Sequence, residues 1–394
     1  MNGAILALNI GSSSIKLASF DAASLAPIVR GAITGIGRDP EACFRTPADA
    51  TPRVESAKPS AANVQDAVRW LLDTLRQRHP DRSLVAIAHR VVHGGTRFDR
   101  AIRIDDAVLA GLEQLAPLAP GHQPAETEVI RSLQELLPGI PQIACFDTAF
   151  HRTQPRLQQW FALPRALGES GIVRIGFHGL SYEYVAGALP KVAGAHPHAK
   201  VVAAHLGHGA SVCALRDLRS VATSMGLTPL DGLMMGTRCG SIDPGVLLHL
   251  QRERGMGAQE LADLLGSRSG LLGVSGISDD VRVLEASDDP HAREALDMFA
   301  ERAAAAIAAQ CVALDGLDAL VFTGGIGEHD AAMRARIGRR LRWLGVAMDE
   351  RANTAHAQSV GAPDARIAVY VIPTDEEIVM GRATAALLGS SSVP

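Results

Sequence analysis

The sequence predicts an α/β fold of two related domains, and three observations carry that expectation. Short apolar runs alternate with helical patterns along the chain. A strand, a Gly-rich turn and a second strand recur about half a chain apart, Gly207 lying 196 residues after Gly11. No low-complexity linker separates the halves, although 394 residues are enough for two or three domains.

The elements follow in order. Ala4 to Asn9 is an apolar run that stops at Gly11, and Ile15 to Phe20 resumes it, which reads as strand, tight Gly-Ser turn and strand. Val64, Ala67, Val68, Leu71, Leu72 and Leu75 recur at helical spacing and predict a helix from Asn63 to Arg78. Leu84 to Ala88 reads as a buried strand. Leu115 to Pro124 holds three prolines and reads as irregular. In the second half Val201 to Leu206 is a strand, Gly207-His208-Gly209 a turn, and the run to Leu215 its partner. His291 to Leu314 is rich in Ala and other helix formers and predicts a long helix. Asp318 to Thr323 reads as a strand ended by a Gly turn from Gly324 to Gly327, and Tyr370 to Ile372 as a last short strand. Both Gly hairpins meet an Asp ten residues after their first Gly, Asp21 and Asp217. Chance likeness between two Gly hairpins is the competing account of the repeat.

Composition narrows the class. Apolar residues make up 47% and charged residues 20%, with 38 basic against 42 acidic side chains. Large cores are therefore available, and the net charge of -4 gives no footprint for nucleic acid or an anionic membrane. The five cysteines are odd in number and show no C-x-x-C spacing, which argues against a disulfide framework or a zinc site and for a reducing compartment. The apolar start is too short for a membrane span and leads to no cleavage site, so a cytoplasmic enzyme without membrane contact is expected.

Three turns, Gly11 to Ser14, Gly207 to Gly209 and Gly324 to Gly327, follow apolar strands. Such turns let backbone N–H groups face phosphate oxygens, and Lys16 adds a point charge beside the first. None fits the Walker pattern, and singly each is an ordinary turn. Together they suit a nucleotide cleft between two domains, where closure excludes water from phosphoryl transfer. Arg90, Asp147, His178 and Arg238 stand at strand or loop ends. Singly each reads as an ion pair, a cap or a structural histidine. As a set they supply the positioned cations and donors that transfer through a charged transition state needs.

These segments, in this order, resemble the acetate and propionate kinase family. The likeness runs from Asn9-Ile10-Gly11-Ser12-Ser13-Ser14-Ile15-Lys16 through His89-Arg90-Val91-Val92-His93-Gly94-Gly95, Phe146-Asp147-Thr148 and Phe177-His178-Gly179. It continues through His205-Leu206-Gly207, Thr228-Pro229-Leu230, Gly236-Thr237-Arg238 and Gly324-Gly325-Ile326-Gly327-Glu328 to Thr374-Asp375-Glu376-Glu377. The resemblance implies two actin-like (ribonuclease H-like) domains of the kind shared by actin, sugar kinases and chaperone ATPases, flanking the nucleotide cleft. Residues 1–149 with 375–394 would form the acyl and metal side. Residues 150–374 would bind nucleotide and form a homodimer. It implies reversible transfer from ATP to acetate, giving acetyl phosphate and ADP, with Mg²⁺ (or Mn²⁺). Asn9 and Glu376 would lie at the metal, and Ser12, Ser14 and Lys16 near the transferring phosphate. Arg90 would hold the carboxylate, Asp147 would act as acid/base or positioning group, and His178 and Arg238 would stabilise the transition state. His122 would be a further active-site histidine. Nucleotide contacts would come from His205, Leu206, Gly207, His208, Gly209, Asp280, Val281, Arg282, Gly324, Gly325, Ile326, Gly327 and Glu328. A carboxylate is already anionic at neutral pH, so Asp147 is read first as a positioning or metal-organising group.

The chain departs from the family at His208 and His329, where Asn is usual, and at Ser241, where Asp is common. An altered phosphoryl-donor preference, or a pH-sensitive nucleotide affinity, is expected there. Gly121 replaces a Leu that walls the methyl pocket with residues matching Val92, Phe177 and Pro229. The change leaves room for a methylene worth about 0.8 kcal/mol and a shift towards propionate, unless a neighbour fills the gap. A butyrate-type kinase, a sugar kinase and a degenerate or chaperone-like nucleotide-binding homologue are the competing readings.

Overall fold

In the computed structural model, which describes residues 3–11, 13–46, 53–193 and 199–390, the chain divides into two compact units, Met1–Ala149 with Asp375–Pro394 and Phe150–Thr374. The first unit contains β1 (Gly3–Ile10), β2 (Ile15–Asp21), β3 (Pro27–Thr34), β4 (Glu41–Thr46), β5 (Arg53–Ala57), β6 (Ser83–Val91), β7 (Ile102–Arg103) and β8 (Gln142–Phe146). They form one sheet in the order β5-β4-β3-β2-β1-β6-β8-β7. β1, β2 and β3 pair antiparallel, whereas β1, β6 and β8 run parallel. Ile5, Leu6, Ala7 and Leu8 of β1 are all buried, so this strand reads as a continuous apolar run because both of its faces are covered.

Helix α1 (Val64–Arg78) starts where the Asn63 side chain accepts the Asp66 N–H at 2.8 Å. It buries Ala67, Val68 and Leu71 in one cluster with Leu6 and Leu8 of β1 and with Val129 and Leu133 of α3 (Gln123–Leu136), which follows α2 (Asp106–Gln114). Burying one such Leu or Val contributes roughly 1.5–3 kcal/mol. The C-terminal helix Glu376–Ser390 packs on β1 and β6. The stretch 115–124 is less irregular than its prolines suggest. Ala116–Leu118 is a 3-10 turn, and Gln123 and Pro124 open α3, where a proline lacks only an N–H that has no helical partner anyway.

The second unit contains β9 (Lys200–Leu206), β10 (Ala210–Arg216), β11 (Arg219–Thr223), β12 (Ala319–Thr323) and β13 (Ala368–Val371) in the order β11-β10-β9-β12-β13. Its first three strands are antiparallel and β9, β12 and β13 are parallel. That is the pattern of β3-β2-β1-β6-β8, so the two units share the actin-like (ribonuclease H-like) arrangement. Its main helices are α4 (Gly179–Ala193), α5 (Pro244–Arg254), α6 (Pro290–Leu314) and the short α7 (Gly324–His329). The last corrects the turn expected at Gly324 to Gly327. Gly324 leaves β12 at φ 76°, and a side chain there would begin 2.8 Å from the Leu206 carbonyl oxygen. The Glu328 carboxylate then accepts the Gly324 N–H at 2.9 Å and closes the turn into a helix. Among the described residues no helix is long and apolar enough to cross a membrane, and none of the five cysteines is joined in a disulfide.

Two buried groups of the first unit tie its stability to pH in opposite senses. His89 bonds Gln142 Oε1 at 2.7 Å, and burial pushes its pKa down to about 4. Between that value and the ordinary 6.5 the unfolded chain binds the extra proton, so stability rises with pH there. Glu126 accepts the Val92 N–H at 3.1 Å on Oε2, while its buried Oε1 has no hydrogen-bond partner. Burial pushes its pKa up to about 8, against the opposing pull of the Val92 N–H and Arg90. From 4.5 to about 8 the folded state holds the proton that the unfolded chain has lost, so Glu126 lowers stability as pH rises. Glu126→Gln is therefore expected to gain on the parent as pH rises from 5 to 8, read as the difference in Tm by calorimetry. A difference that does not change over that range would contradict a neutral Glu126.

Candidate active site

In the first unit the functional side chains stand at the carboxyl ends of three parallel strands. Asn9 is next to last in β1, Arg90 next to last in β6, and Asp147 follows β8. The Asp147 N–H donates to the Val91 carbonyl oxygen at 3.1 Å, which fixes one strand end against the other. Arg90 grips the buried Asp147 carboxylate with two parallel bonds, Nε to Oδ1 at 3.0 Å and Nη2 to Oδ2 at 2.5 Å. Its Nη1 donates to Asn9 Oδ1 at 3.0 Å. Glu376, at the start of the C-terminal helix, lies 3.8 Å from Arg90 Nε. Burial works against the Arg90 charge, but Asp147 and Glu376 outweigh it and hold the guanidinium proton more tightly than usual. The Glu376 carboxyl is shifted upward, chiefly by burial, with Arg90 opposing and Asp147 and Glu377 adding to the rise. Neighbouring Asp375 pairs with Arg30 and accepts the Ile378 N–H at 3.0 Å, seating the helix start.

The remaining expected groups of this unit lie around that cluster. Lys16 is exposed yet close enough to Glu376 to lower its proton affinity, and the Ser14 carbonyl closes the turn by accepting the Gly11 N–H at 2.8 Å. Ser12 lies outside the described residues. His122 opens α3, and its neighbour Gln123 clamps His93 by accepting its N–H at 3.1 Å and donating to its carbonyl at 3.0 Å. Val92 is buried, and Gly121 is exposed with no atom within 4 Å of where a side chain would begin.

In the second unit His178 sits in the left-handed region at φ 57°, a strained conformation for a residue with a side chain. Its Nε2 lies 3.1 Å from where a Gly209 side chain would begin, and Arg238 Nη1 lies 3.8 Å from the same point. The absence of a side chain at Gly209 is what leaves both groups room at the turn. The Arg238 Nη1 also donates to the Pro229 carbonyl at 3.2 Å, and the buried Phe177 offers its carbonyl to His151 at 2.8 Å. His205 stacks on His178 with ring centres 4.2 Å apart.

Beside this turn a cavity of about 690 Å³ brings together Gly207, His208, Asp280, Val281, Arg282, Gly325 and Ile326. That size is ordinary for a small-molecule site. Asp279, Glu285 and Asp330 also line it, and sequence reasoning did not single them out. Glu285 stands four residues after Val281, one helical turn on, and that spacing was the available signal. The cavity lining does not include His205 and Leu206 at the end of β9, Gly209 in the turn after it, or Gly324, Gly327 and Glu328 of α7. The Glu328 carboxylate is turned inward onto the Gly324 and Thr374 N–H groups at 2.9 and 3.0 Å. His208 Nε2 lies 3.0 Å from Asp279, His329 lines the same cavity, and Ser241 donates to Asp231 at 2.7 Å.

Among the described residues no cluster of three or more His, Cys, Asp or Glu side chains is placed to hold a metal. Asn9 Oδ1 and the Glu376 carboxylate nevertheless fit a hard divalent cation that keeps water and phosphate oxygens and takes one or two protein ligands. The upward shift of the Glu376 carboxyl marks a place where added positive charge is favourable.

Fold and half-sites together define a two-domain actin-like α/β enzyme with a charged strand-end site in one unit and a small-molecule cavity in the other. The Acetokinase family profile matches residues 4–382, and the chain belongs to that family. It is 48% identical over 390 residues to an acetate kinase of Rhodopseudomonas palustris, covering 97% of this chain and 98% of the relative. It is 42% identical to a propionate kinase of Citrobacter rodentium, covering 97% and 96%. Among solved structures, a Francisella tularensis propionate kinase superposes with a TM-score of 0.89 at 36% identity, covering 97% of this chain and 98% of the other. Asp147→Asn weakens the grip on Arg90 and is expected to lower kcat by roughly a hundredfold or more. Turnover within a factor of two, with unchanged metal dependence, would show that Asp147 neither positions Arg90 nor organises a cation.

Proposed function

We propose that the chain is an acetate kinase that transfers a phosphoryl group reversibly between ATP and the acetate carboxylate. One observation carries the reading: the full-length likeness to acetate and propionate kinases is joined to an intact charged half-site of Asn9, Arg90, Asp147 and Glu376. Three of the five Arg90 N–H groups are committed among the described residues, to Asp147 and Asn9, which leaves donors for an incoming carboxylate. Asp147 holds the guanidinium plane in place while that carboxylate attacks. Asn9 and Glu376 are proposed to hold Mg²⁺, which supplies charge neutralisation for the phosphate oxygens when bound. Ser14 and Lys16 are assigned to the transferring phosphate. His178 and Arg238 are assigned to its equatorial oxygens, with His122 as a further donor on the acyl side. The cavity at Gly207, Asp280 and Gly325 is assigned to the nucleotide.

A second reading, propionate as the preferred acid, is favoured by the open space at Gly121. A homodimer through the second unit is supported by α5, which buries no residue and leaves Val246 and Leu248 exposed beside the exposed Ile242. The absence of disulfides suits a cytoplasmic setting.

A hydroxamate assay for acyl phosphate with ATP and Mg²⁺ tests the activity. Acyl phosphate from acetate is expected, and ATP hydrolysis without it would favour a degenerate, chaperone-like homologue. In the same assay Gly121→Leu is expected to lower kcat/KM for propionate relative to acetate by roughly fourfold, the worth of one buried methylene. An unchanged ratio would remove Gly121 from the acyl pocket. Leu248→Glu is expected to shift the sedimenting species from dimer to monomer, and a parent that sediments as a monomer would overturn the homodimer.

A further inference from the structure

One face of His178 meets the Gly207–Gly209 turn. Its other nitrogen enters a buried chain of hydroxyls that the proposed transfer does not use. His178 Nδ1 lies 2.8 Å from Ser211 Oγ, and Ser211 Oγ lies 2.6 Å from the Tyr182 hydroxyl. Ser211 and Tyr182 are completely buried. Tyr182 stands on the first turn of α4, its N–H bonded to the His178 carbonyl at 3.1 Å, and Ser211 is on β10 opposite His205 of β9. Helix, strand and histidine loop thus meet at one serine oxygen.

Counting protons sets the direction of this chain. Burial holds the phenol proton far above its ordinary pKa, so Tyr182 stays protonated at any working pH. The phenol keeps a proton to give, and Ser211 Oγ, 2.6 Å away, is within reach to accept it. A serine that accepts from the phenol has one proton of its own to give, and His178 Nδ1 is within reach of it. A neutral imidazole that accepts at Nδ1 carries its proton on Nε2, the nitrogen beside the Gly209 turn.

We propose that Tyr182 and Ser211 are positioning residues that lock His178 in the Nε2–H tautomer, so that it meets the transferring phosphoryl group as a neutral, directional donor. The proposal rests on the assignment of His178 to that group. His205 adds to it. Its ring stacks on His178 at 4.2 Å and its own Nδ1 is 2.8 Å from Ser181 Oγ, so a ring that is itself held in place backs the His178 ring. Arg238, 3.8 Å from the same Gly209 position, already supplies a permanent charge. The two cooperating groups then divide the work, Arg238 giving charge and His178 giving direction.

Long-range ¹⁵N–¹H correlation on the full-length protein labelled at histidine tests the lock, with the His178 signals identified by their loss in His178→Gln. At neutral pH the parent is expected to show an unprotonated Nδ1 and a protonated Nε2. Tyr182→Phe keeps the ring volume but removes the proton that directs the chain, and Ser211→Ala removes the link. Each is expected to give mixed tautomers and to lower kcat roughly fivefold, the worth of one hydrogen bond, with KM for both substrates unchanged. An Nδ1–H tautomer or an imidazolium in the parent overturns the proposal whatever the variants do, and so do unchanged His178 signals in a folded Tyr182→Phe. A His178→Gln enzyme with parental kcat, in a parent that shows the Nε2–H signature, overturns the placement of His178 at the phosphoryl group while leaving the lock standing.

Discussion

The ion pair between Arg90 and Asp147 is the interaction on which the first unit's site depends. Taking a guanidinium and a carboxylate out of water costs several kcal/mol per ion, and a buried pair often gains no net stability over apolar residues. Its value here is geometric. The two parallel bonds set the guanidinium plane, and the adjacent ends of β6 and β8 fix both backbones. A lysine could carry the charge but not the plane. Asn9 reaches the same guanidinium from β1, and the C-terminal helix brings Glu376 to it from a distant part of the chain. One cation thus ties together three strands and the chain's last helix.

The second unit holds its residues by backbone strain and buried hydrogen bonds rather than by an ion pair. The residues assigned there also stand at the carboxyl ends of parallel strands, His205 next to last in β9, Gly207 just after it and Gly324 after β12. In open α/β sheets this is where ligands bind, because backbone groups leaving the strands there remain unpaired by the sheet. His178 is held at φ 57°, and the strain is met by buried bonds from Ser211 and the stacked His205. The bond to Ser211 and the stacked ring hold the His178 side chain in one orientation.

Much of this was legible in the sequence, for definite reasons. β1, β9 and α1 carry patterns of continuous or helical burial that local reading detects, and Asn63 announces its helix. The repeat of the Gly hairpin foretold the shared sheet order. The stretch from Gly324 misled because three glycines read as a loop, whereas the closing bond from Glu328 is side-chain chemistry outside any propensity. The C-terminal helix went unread because its buried residues, Val379, Met380, Gly381 and Thr384, mix apolar, small and polar types, with Gly381 packed 3.1 Å from the Phe20 ring by the measure of an added side chain. Glu126, Asp279, Glu285 and Asp330 looked like solvated carboxylates, and only tertiary placement gives them burial or a cavity to face.

That last group has a consequence for how a nucleotide sits in the second unit. Asp279, Asp280, Glu285 and Asp330 line the cavity, while Arg282 already pairs with Asp280 and His208 lies against Asp279. Burial raises the carboxyls of Glu285 and Asp330, and the Asp330 charge adds to the rise at Glu285, so further negative charge is disfavoured there. A polyphosphate is repelled from such a wall, whereas ribose hydroxyls and an exocyclic amine can donate to it. On the proposed reading, charge alone therefore orients the nucleotide. Base and sugar lie against the carboxylates, and the phosphates turn towards Gly207 to Gly209, where Arg238 and the Nε2 face of His178 converge.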